Sequence, residues 1–191
     1  MLALQGDFEA HARALAERGM LPVEVRRRAD LHGVSGLVLP GGESTTMLKL
    51  MNGSGLAAGL EAVVSAGTPV LATCAGVILI ARRVHRPEQP SLGLLDVEVE
   101  RNAYGRQLDS AVVVLSADAD ELGRSTLEGV FIRAPRLVSL GKAVRPLAWR
   151  DRDPVLVEQG NVLAATFHPE LSAASPVVDR FVARVRAQVA G

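Results

Sequence analysis

The stretch Pro69-Val-Leu-Ala-Thr-Cys-Ala-Gly-Val-Ile-Leu-Ile-Ala81 decides the fold. Its first part, Pro69–Thr73, is a short apolar run with the length and composition of a buried strand. Its last part, from Val77, reads as the beginning of a helix. Between them lies Thr73-Cys-Ala-Gly76, which holds the only cysteine in 191 residues. A strand that passes straight into a helix is the repeating unit of an α/β protein, and such proteins bind ligands beyond the carboxyl ends of their strands. Cys74 sits at such an end. Two readings compete for it: a small hydrophobe buried for packing, or a nucleophile on a turn like the elbow of hydrolases, with cysteine in place of serine. Ala75 and Gly76 leave that turn bare enough for a substrate carbonyl to approach the sulfur.

Working outward, strand-like runs alternate with amphipathic ones. Leu2–Gln5, Leu21–Val25 and Gly36–Leu39 read as strands. A first helix is expected after Asp7 as cap, with Phe8, Ala12, Leu15 and Ala16 on its inward face and Gly19 at its end. A last helix is expected after Ser175, with Pro176 in the first turn and Val178, Phe181, Val182 and Val185 as its stripe. Between them the runs Asp96–Arg101, Ser110–Leu115, Gly129–Ile132, Pro154–Glu158 and Asn161–Thr166 carry few helical signals. The short Gln159-Gly160 connection suggests a hairpin. The expectation is a three-layer, open, mostly parallel sheet flanked by helices, with an antiparallel extension, in one domain over residues 1–191.

Composition narrows the function classes. Hydrophobic residues make up 48% and aromatic ones 3%, so the core is aliphatic. Twenty-one basic residues balance 21 acidic ones, and Arg26-Arg-Arg28 is too short for an electrostatic footprint, so no nucleic acid is expected. A single cysteine excludes an intramolecular disulfide and a multi-cysteine zinc site. The start lacks a charged-then-apolar leader and no apolar run approaches 18 residues, so no membrane is expected and the cytoplasm is the default.

A cysteine nucleophile needs a base and an oxyanion hole. Complete ionisation of a thiol of pKa about 8.5 gains only ~30-fold near neutrality, whereas one oxyanion donor is worth ~10²–10³. Thr166-Phe-His-Pro-Glu-Leu171 follows an apolar run. Pro169 holds His168 extended, and residues two apart in an extended segment point the same way, which places Glu170 beside the imidazole. A strand-end histidine with a solvated glutamate is the plainer alternative. His11 lies on a helix, and His32 and His85 lack a partner at a useful spacing, so none of the three is read as functional. Leu39-Pro-Gly-Gly-Glu-Ser44 is a second strand end, whose glycine amides could face an anion. It lacks the lysine of a phosphate loop, and no Gly-x-Gly-x-x-Gly supports a dinucleotide.

Together these segments resemble one family: the glutaminase subunit of pyridoxal 5′-phosphate synthase, a class I, triad-type glutamine amidotransferase. The resemblance runs in order through Leu2-Ala-Leu-Gln-Gly-Asp7, Leu39-Pro-Gly-Gly-Glu-Ser-Thr-Thr-Met47, Thr73-Cys-Ala-Gly76, Arg101-Asn-Ala-Tyr-Gly-Arg-Gln107, Val130-Phe-Ile-Arg-Ala-Pro135 and Phe167-His-Pro-Glu-Leu171. It implies a flavodoxin-like sheet of the class I amidotransferase type. Catalysis would use Cys74, His168 and Glu170, with the amides of Gly42 and Ala75 as oxyanion hole. Gly42, Glu43, Ser44, Arg101, Ile132 and Arg133 would bind L-glutamine. Ammonia would pass to the synthase (lyase) subunit, and the glutaminase would need neither cofactor nor metal.

The family usually has a few residues before Leu-Ala-Leu-Gln-Gly, so a short first strand and reduced stability are expected. A cysteine hydrolase or peptidase of the same sheet type, and a scaffold subunit that has lost activity, share the cysteine turn. The first gives no reason for the Arg101–Gln107 run, and the intact Cys74, His168 and Glu170 argue against the second.

Overall fold

In chain order the computed structural model, which describes residues 1–101, 103 and 110–191, runs α1 (Phe8–Ala16), β1 (Leu37–Leu39), α2 (Ser44–Met51), α3 (Leu56–Ser65), β2 (Val70–Thr73), α4 (Ala75–Ile80), β3 (Ala81–His85), β4 (Leu95–Glu100), β5 (Ser110–Ala117), α5 (Ala119–Leu122), β6 (Thr126–Ile132), β7 (Arg136–Leu140), β8 (Arg145–Arg150), β9 (Asp153–Gln159), β10 (Val162–Ala165) and α6 (Pro176–Ala190). Asp7 caps α1 by accepting from the Ala10 amide at 3.3 Å, and Ser175 caps α6 by accepting from Val178 at 3.4 Å. Both caps satisfy amides that have no partner within the first turn.

Seven strands form one sheet in the order β1-β2-β10-β9-β8-β5-β6. β2 lies between β1 and β10, parallel to both, with Ala72 opposite Leu39 on one side and Ala164 on the other. Every residue of these three strands is buried, because both faces of the sheet are covered. Leu37, Leu39, Val70, Ala72, Val162 and Ala164 turn toward Met47, Leu60 and Leu79 of α2, α3 and α4. The intervening Val38, Leu71, Leu163 and Ala165 turn toward Leu15 of α1 and Phe181, Val182 and Val185 of α6. This period-two division makes the three layers, and burying each large aliphatic side chain contributes roughly 1.5–3 kcal/mol.

From β10 outward the four remaining pairings are antiparallel. Gln159 pairs with Val162 across Gly160, at φ +56°, so the expected hairpin is present. The class and layering agree with expectation, but the antiparallel extension is longer than the apolar runs suggested, so the seven-stranded sheet is mixed rather than mostly parallel. β7 and β8 were not expected at all. A second sheet, β3-β4-β7, packs Val84, Val97, Val99 and Leu137 against the α2–α4 side of the core.

Several elements differ from expectation for local reasons. Leu2–Gln5 and Leu21–Val25 do not form full strands. They meet in one parallel bridge, Leu2 with Val25, while the Leu2 amide donates to Val38 at 2.9 Å. Pro22 lacks an amide for a longer ladder, and Gly6, at φ +108°, turns the chain toward α1. The run from Val77 is helical only to Ile80 and continues as β3. In α1 the buried residues are Ala10, His11, Ala14 and Leu15; of the expected face Leu15 is buried, Phe8 and Ala12 are partly buried against the core, and Ala16 is exposed. Among the described residues no helix is long and apolar enough to cross a membrane.

Candidate active site

Cys74 stands where β2 gives way to α4. Its amide donates to Ala165 at 2.8 Å, tying the end of β2 to the end of β10. Its backbone has φ +47°, a region that side chains other than glycine enter at a cost of ~1–3 kcal/mol and that clusters at functional sites. The turn stays tight because α4 lies directly on β1: a Cβ at Gly76 would come within 2.1 Å of the Leu39 carbonyl oxygen. The sulfur is 3.7 Å from the carbonyl oxygen of Ile132.

His168 follows β10, and its amide donates to Val130 of β6 at 2.8 Å. Its Nδ1 lies 2.8 Å from Oε1 of Glu170. The expected pairing is present, although the backbone that makes it is not extended. Pro169–Leu171 form a 3₁₀ turn whose Leu171 amide returns to the His168 carbonyl at 3.3 Å. Proline at the first position of a helical turn fixes φ there and loses no needed amide. Burial works against charge on His168, but hydrogen bonds and charges from Cys74 and Glu170 outweigh it and raise the ring to about 10. Burial likewise pushes Glu170 up, and hydrogen bonds from His11 and His168 overcome it and bring the carboxyl down to about 2. The cluster is therefore built to hold Glu170 as a carboxylate and His168 as an imidazolium facing sulfur.

Cys74 and His168 open into a cavity of about 210 Å³ that is also lined by Gly42, Glu43, Ser44, Ala75, Arg101, Ile132 and Arg133. Every site residue expected from the sequence thus borders it, except Glu170, which stands behind His168. Ala75 opens α4, so its N–H precedes any intrahelical acceptor. Gly42 has φ +148°, and a Cβ there would come within 2.5 Å of Gln5 Oε1, so the position requires glycine. The neighbouring Glu43 amide donates to that same Gln5 oxygen at 2.5 Å. The first loop of the chain therefore braces the Gly41–Glu43 turn from outside.

Arg101 is 15% exposed and donates to Gln89 Oε1 at 2.7 Å, with Glu43 3.8 Å away. Of the run Arg101–Gln107, Arg101 and Ala103 are described and the rest lies outside the described residues. Arg133 has φ +46°, the second strained non-glycine residue on the cavity wall.

The SNO glutamine amidotransferase family matches residues 1–187 of the chain. The chain belongs to that family. Pyridoxal 5′-phosphate synthase subunit PdxT of Thermotoga neapolitana is 46% identical over 172 residues, 90% of each chain. The protein of the same name from Frankia alni is 50% identical over 193 residues, covering all of this chain and 96% of its own. A crystal structure of a glutamine amidotransferase superposes with a TM-score of 0.89 at 43% identity, over 97% of both chains. As a member of this family the protein is a glutaminase, an enzyme that hydrolyses glutamine for its ammonia.

Two residues at this amidotransferase site were not read from the sequence. His11 is 1% exposed, with Nε2 3.2 Å from Glu170 Oε1 and 3.0 Å from Thr73 Oγ1. Its signal was the small pair Ala10 and Ala14, which lets that face of α1 approach the sheet. Gln89 accepts from Arg101 and from Thr45 Oγ1 at 3.1 Å, and its amide donates to Ser44 Oγ at 3.0 Å. It has no local signal, because all three partners are distant in sequence. His85 also has a partner after all, Glu98 Oε2 at 2.9 Å on the adjacent strand.

Proposed function

We propose that Cys74, His168 and Glu170 form the catalytic triad of the glutaminase, and that its ammonia serves a pyridoxal 5′-phosphate synthase subunit. The observation that carries the reading is the single cavity in which Cys74 and His168 meet Gly42, Ala75 and Arg101. Cys74 Sγ attacks the side-chain amide carbon of L-glutamine as a thiolate, its proton already held by His168 as the imidazolium. The oxyanion that forms is received by the Gly42 and Ala75 amides, each donor being worth ~10²–10³ in rate. His168 then protonates the departing ammonia, leaving a thioester on Cys74. Water, deprotonated by the same imidazole, attacks the thioester and releases glutamate. Glu170 keeps Nδ1 protonated throughout and so presents Nε2 to the reacting atoms.

Arg101 grips the α-carboxylate of glutamine, and Glu43, Ser44, Ile132 and Arg133 shape the amino-acid end of the site. The partner reading rests on the full-length similarity to synthase subunits in other organisms. The test is glutamate release from glutamine by the purified chain, alone and with the cognate synthase subunit, beside Cys74→Ala. Turnover that rises with the partner and vanishes in Cys74→Ala is expected. Turnover retained by Cys74→Ala would overturn the triad, and no response to a partner shown to bind would overturn the ammonia hand-over.

A further inference from the structure

His11 is a buried titratable group that the scheme above does not use. It reaches the site from α1, far from the other site residues in sequence, and its Nε2 lies 3.2 Å from Glu170 Oε1. The same oxygen receives His168 Nδ1 at 2.8 Å, while Oε2 has no hydrogen-bond partner among the described residues. The Glu170 side chain is 0% exposed, so water cannot solvate its charge and protein donors must. Both donors are imidazoles and both converge on one oxygen. A carboxylate oxygen only accepts, so His11 carries its proton on Nε2, with the Thr73 hydroxyl 3.0 Å from the same nitrogen. A side chain needed only for packing at this position would be aliphatic like Leu15, with no buried polar ring to satisfy.

We propose that His11 is a positioning residue for glutamine hydrolysis: its Nε2–H holds the Glu170 carboxylate ionised and aimed at His168 Nδ1. The inference rests on the Cys74–His168–Glu170 triad proposed above. His11 lies behind Glu170 and touches neither substrate nor sulfur. Glu170 is acted on by His11 from α1 and by His168 from its own turn, and Cys74 acts on His168. The other charged groups on the packed elements are turned away. Glu9 and Arg13 of α1 and Glu128 of β6 are exposed, Asp179 of α6 pairs with Arg18, and Arg180 pairs with Glu121 and Glu158.

The experiment compares wild type, His11→Leu and His11→Gln by glutamate release from pH 5 to 9, with the synthase subunit present. Leucine removes the donor and leaves burial to push Glu170 toward its neutral form. The expected result is a fall in kcat of about tenfold or more, KM for glutamine within about twofold, and an acid limb of kcat/KM moved upward into the measured range as burial drives Glu170 toward its neutral form. Glutamine, whose side-chain amide reaches the same place, restores the wild-type limb. A wild-type limb and kcat in His11→Leu, whatever its melting temperature, would overturn the proposal, since a merely structural histidine changes stability without moving the limb. If His11→Leu does not fold, His11→Asn, which falls short of Oε1, replaces it, and profiles that coincide with those of His11→Gln overturn the proposal. Cys74→Ala in parallel separates the two failures. If it keeps turnover, the triad falls and takes the proposal with it, whereas an inactive Cys74→Ala beside an unmoved His11→Leu profile strikes His11 alone.

Discussion

The wall of the cavity that carries Cys74 and His168 is made by the ends of β2 and β10, in the middle of the parallel part of the sheet. The other wall, with Glu43, Arg101, Ile132 and Arg133, is made by the ends of β1, β4 and β6 and the segments that leave them. Cys74, His168 and Glu170 are 6–7% exposed. The Glu43 side chain is 48% exposed, Ile132 is 37% exposed, and Arg133 is exposed. The first wall is held by strand-to-strand amide bonds and by a core packed on both faces. In the second, Gln89 holds Ser44 and Arg101, Gln5 holds the Glu43 amide, and Ile132 ends β6 opposite Ser110. With the roles proposed above, the chemistry would rest on the rigid wall and recognition of the amino-acid end on the open one. Substitutions should divide in the same way, the first wall affecting kcat and the second KM.

The largest effect is expected from Glu170→Gln, which keeps the shape but no longer selects the His168 tautomer. Steady-state glutamate release should show kcat lowered by ~10³–10⁴, with KM nearly unchanged. Gly42→Ala follows. A Cβ at φ +148° turns the peptide away from the oxyanion, and kcat should fall by ~10²–10³. An effect of Gly42→Ala confined to KM would show that its amide serves substrate binding and not the oxyanion. Arg101→Ala should raise KM for glutamine by ~10–100-fold with kcat within a few-fold, since a charge-assisted pair is lost in ground state and transition state alike. The smallest change is expected from Gln89→Ala, which frees Arg101 without removing it. A rise in KM of roughly 3–10-fold is the sign that Gln89 positions the guanidinium, and none would assign that role to Glu43.

The rigid wall also makes stability depend on pH. Glu170 has its pKa lowered, so its contribution is present above the ordinary glutamate range and is lost as pH falls toward about 2. His168 has its pKa raised, so its contribution is complete below the ordinary histidine range and is lost as pH rises toward about 10. Urea midpoints measured between pH 6 and 10 should therefore decline on the alkaline side. The decline should be shallower in Cys74→Ala, because one of the two partners that raise His168 is gone.

Much of the rigid wall was legible in the chain because local rules place it. An apolar run ending in cysteine and then alanine and glycine has few readings, and His-Pro-Glu sets its own spacing whether the backbone is extended or, as found, a 3₁₀ turn. The open wall was legible only through the longer family motifs. What local patterns missed was tertiary. A stripe through Phe8, Ala12, Leu15 and Ala16 satisfies helical periodicity, yet α1 buries most deeply the face bearing Ala10 and Ala14, where small side chains allow close approach, and His11 arrives with them. β7 and β8 were missed because their apolar parts are short and bounded by charge, Arg136 opening β7 and Arg145 and Arg150 standing at the two ends of β8 beside Pro146. In the fold Arg136 pairs with Asp153, Arg145 with Glu121 and Glu158, and Arg150 lies over the Phe131 ring.

The most direct measurement is to mix the enzyme and its synthase partner with carbon-labelled glutamine, quench in acid during turnover, and locate the bound label. Labelled glutamyl thioester on the peptide containing Cys74, released by hydroxylamine and absent from Cys74→Ala, is the predicted result. Turnover without label on Cys74 at any quench time, together with activity in Cys74→Ala, would contradict nucleophilic catalysis by this cysteine.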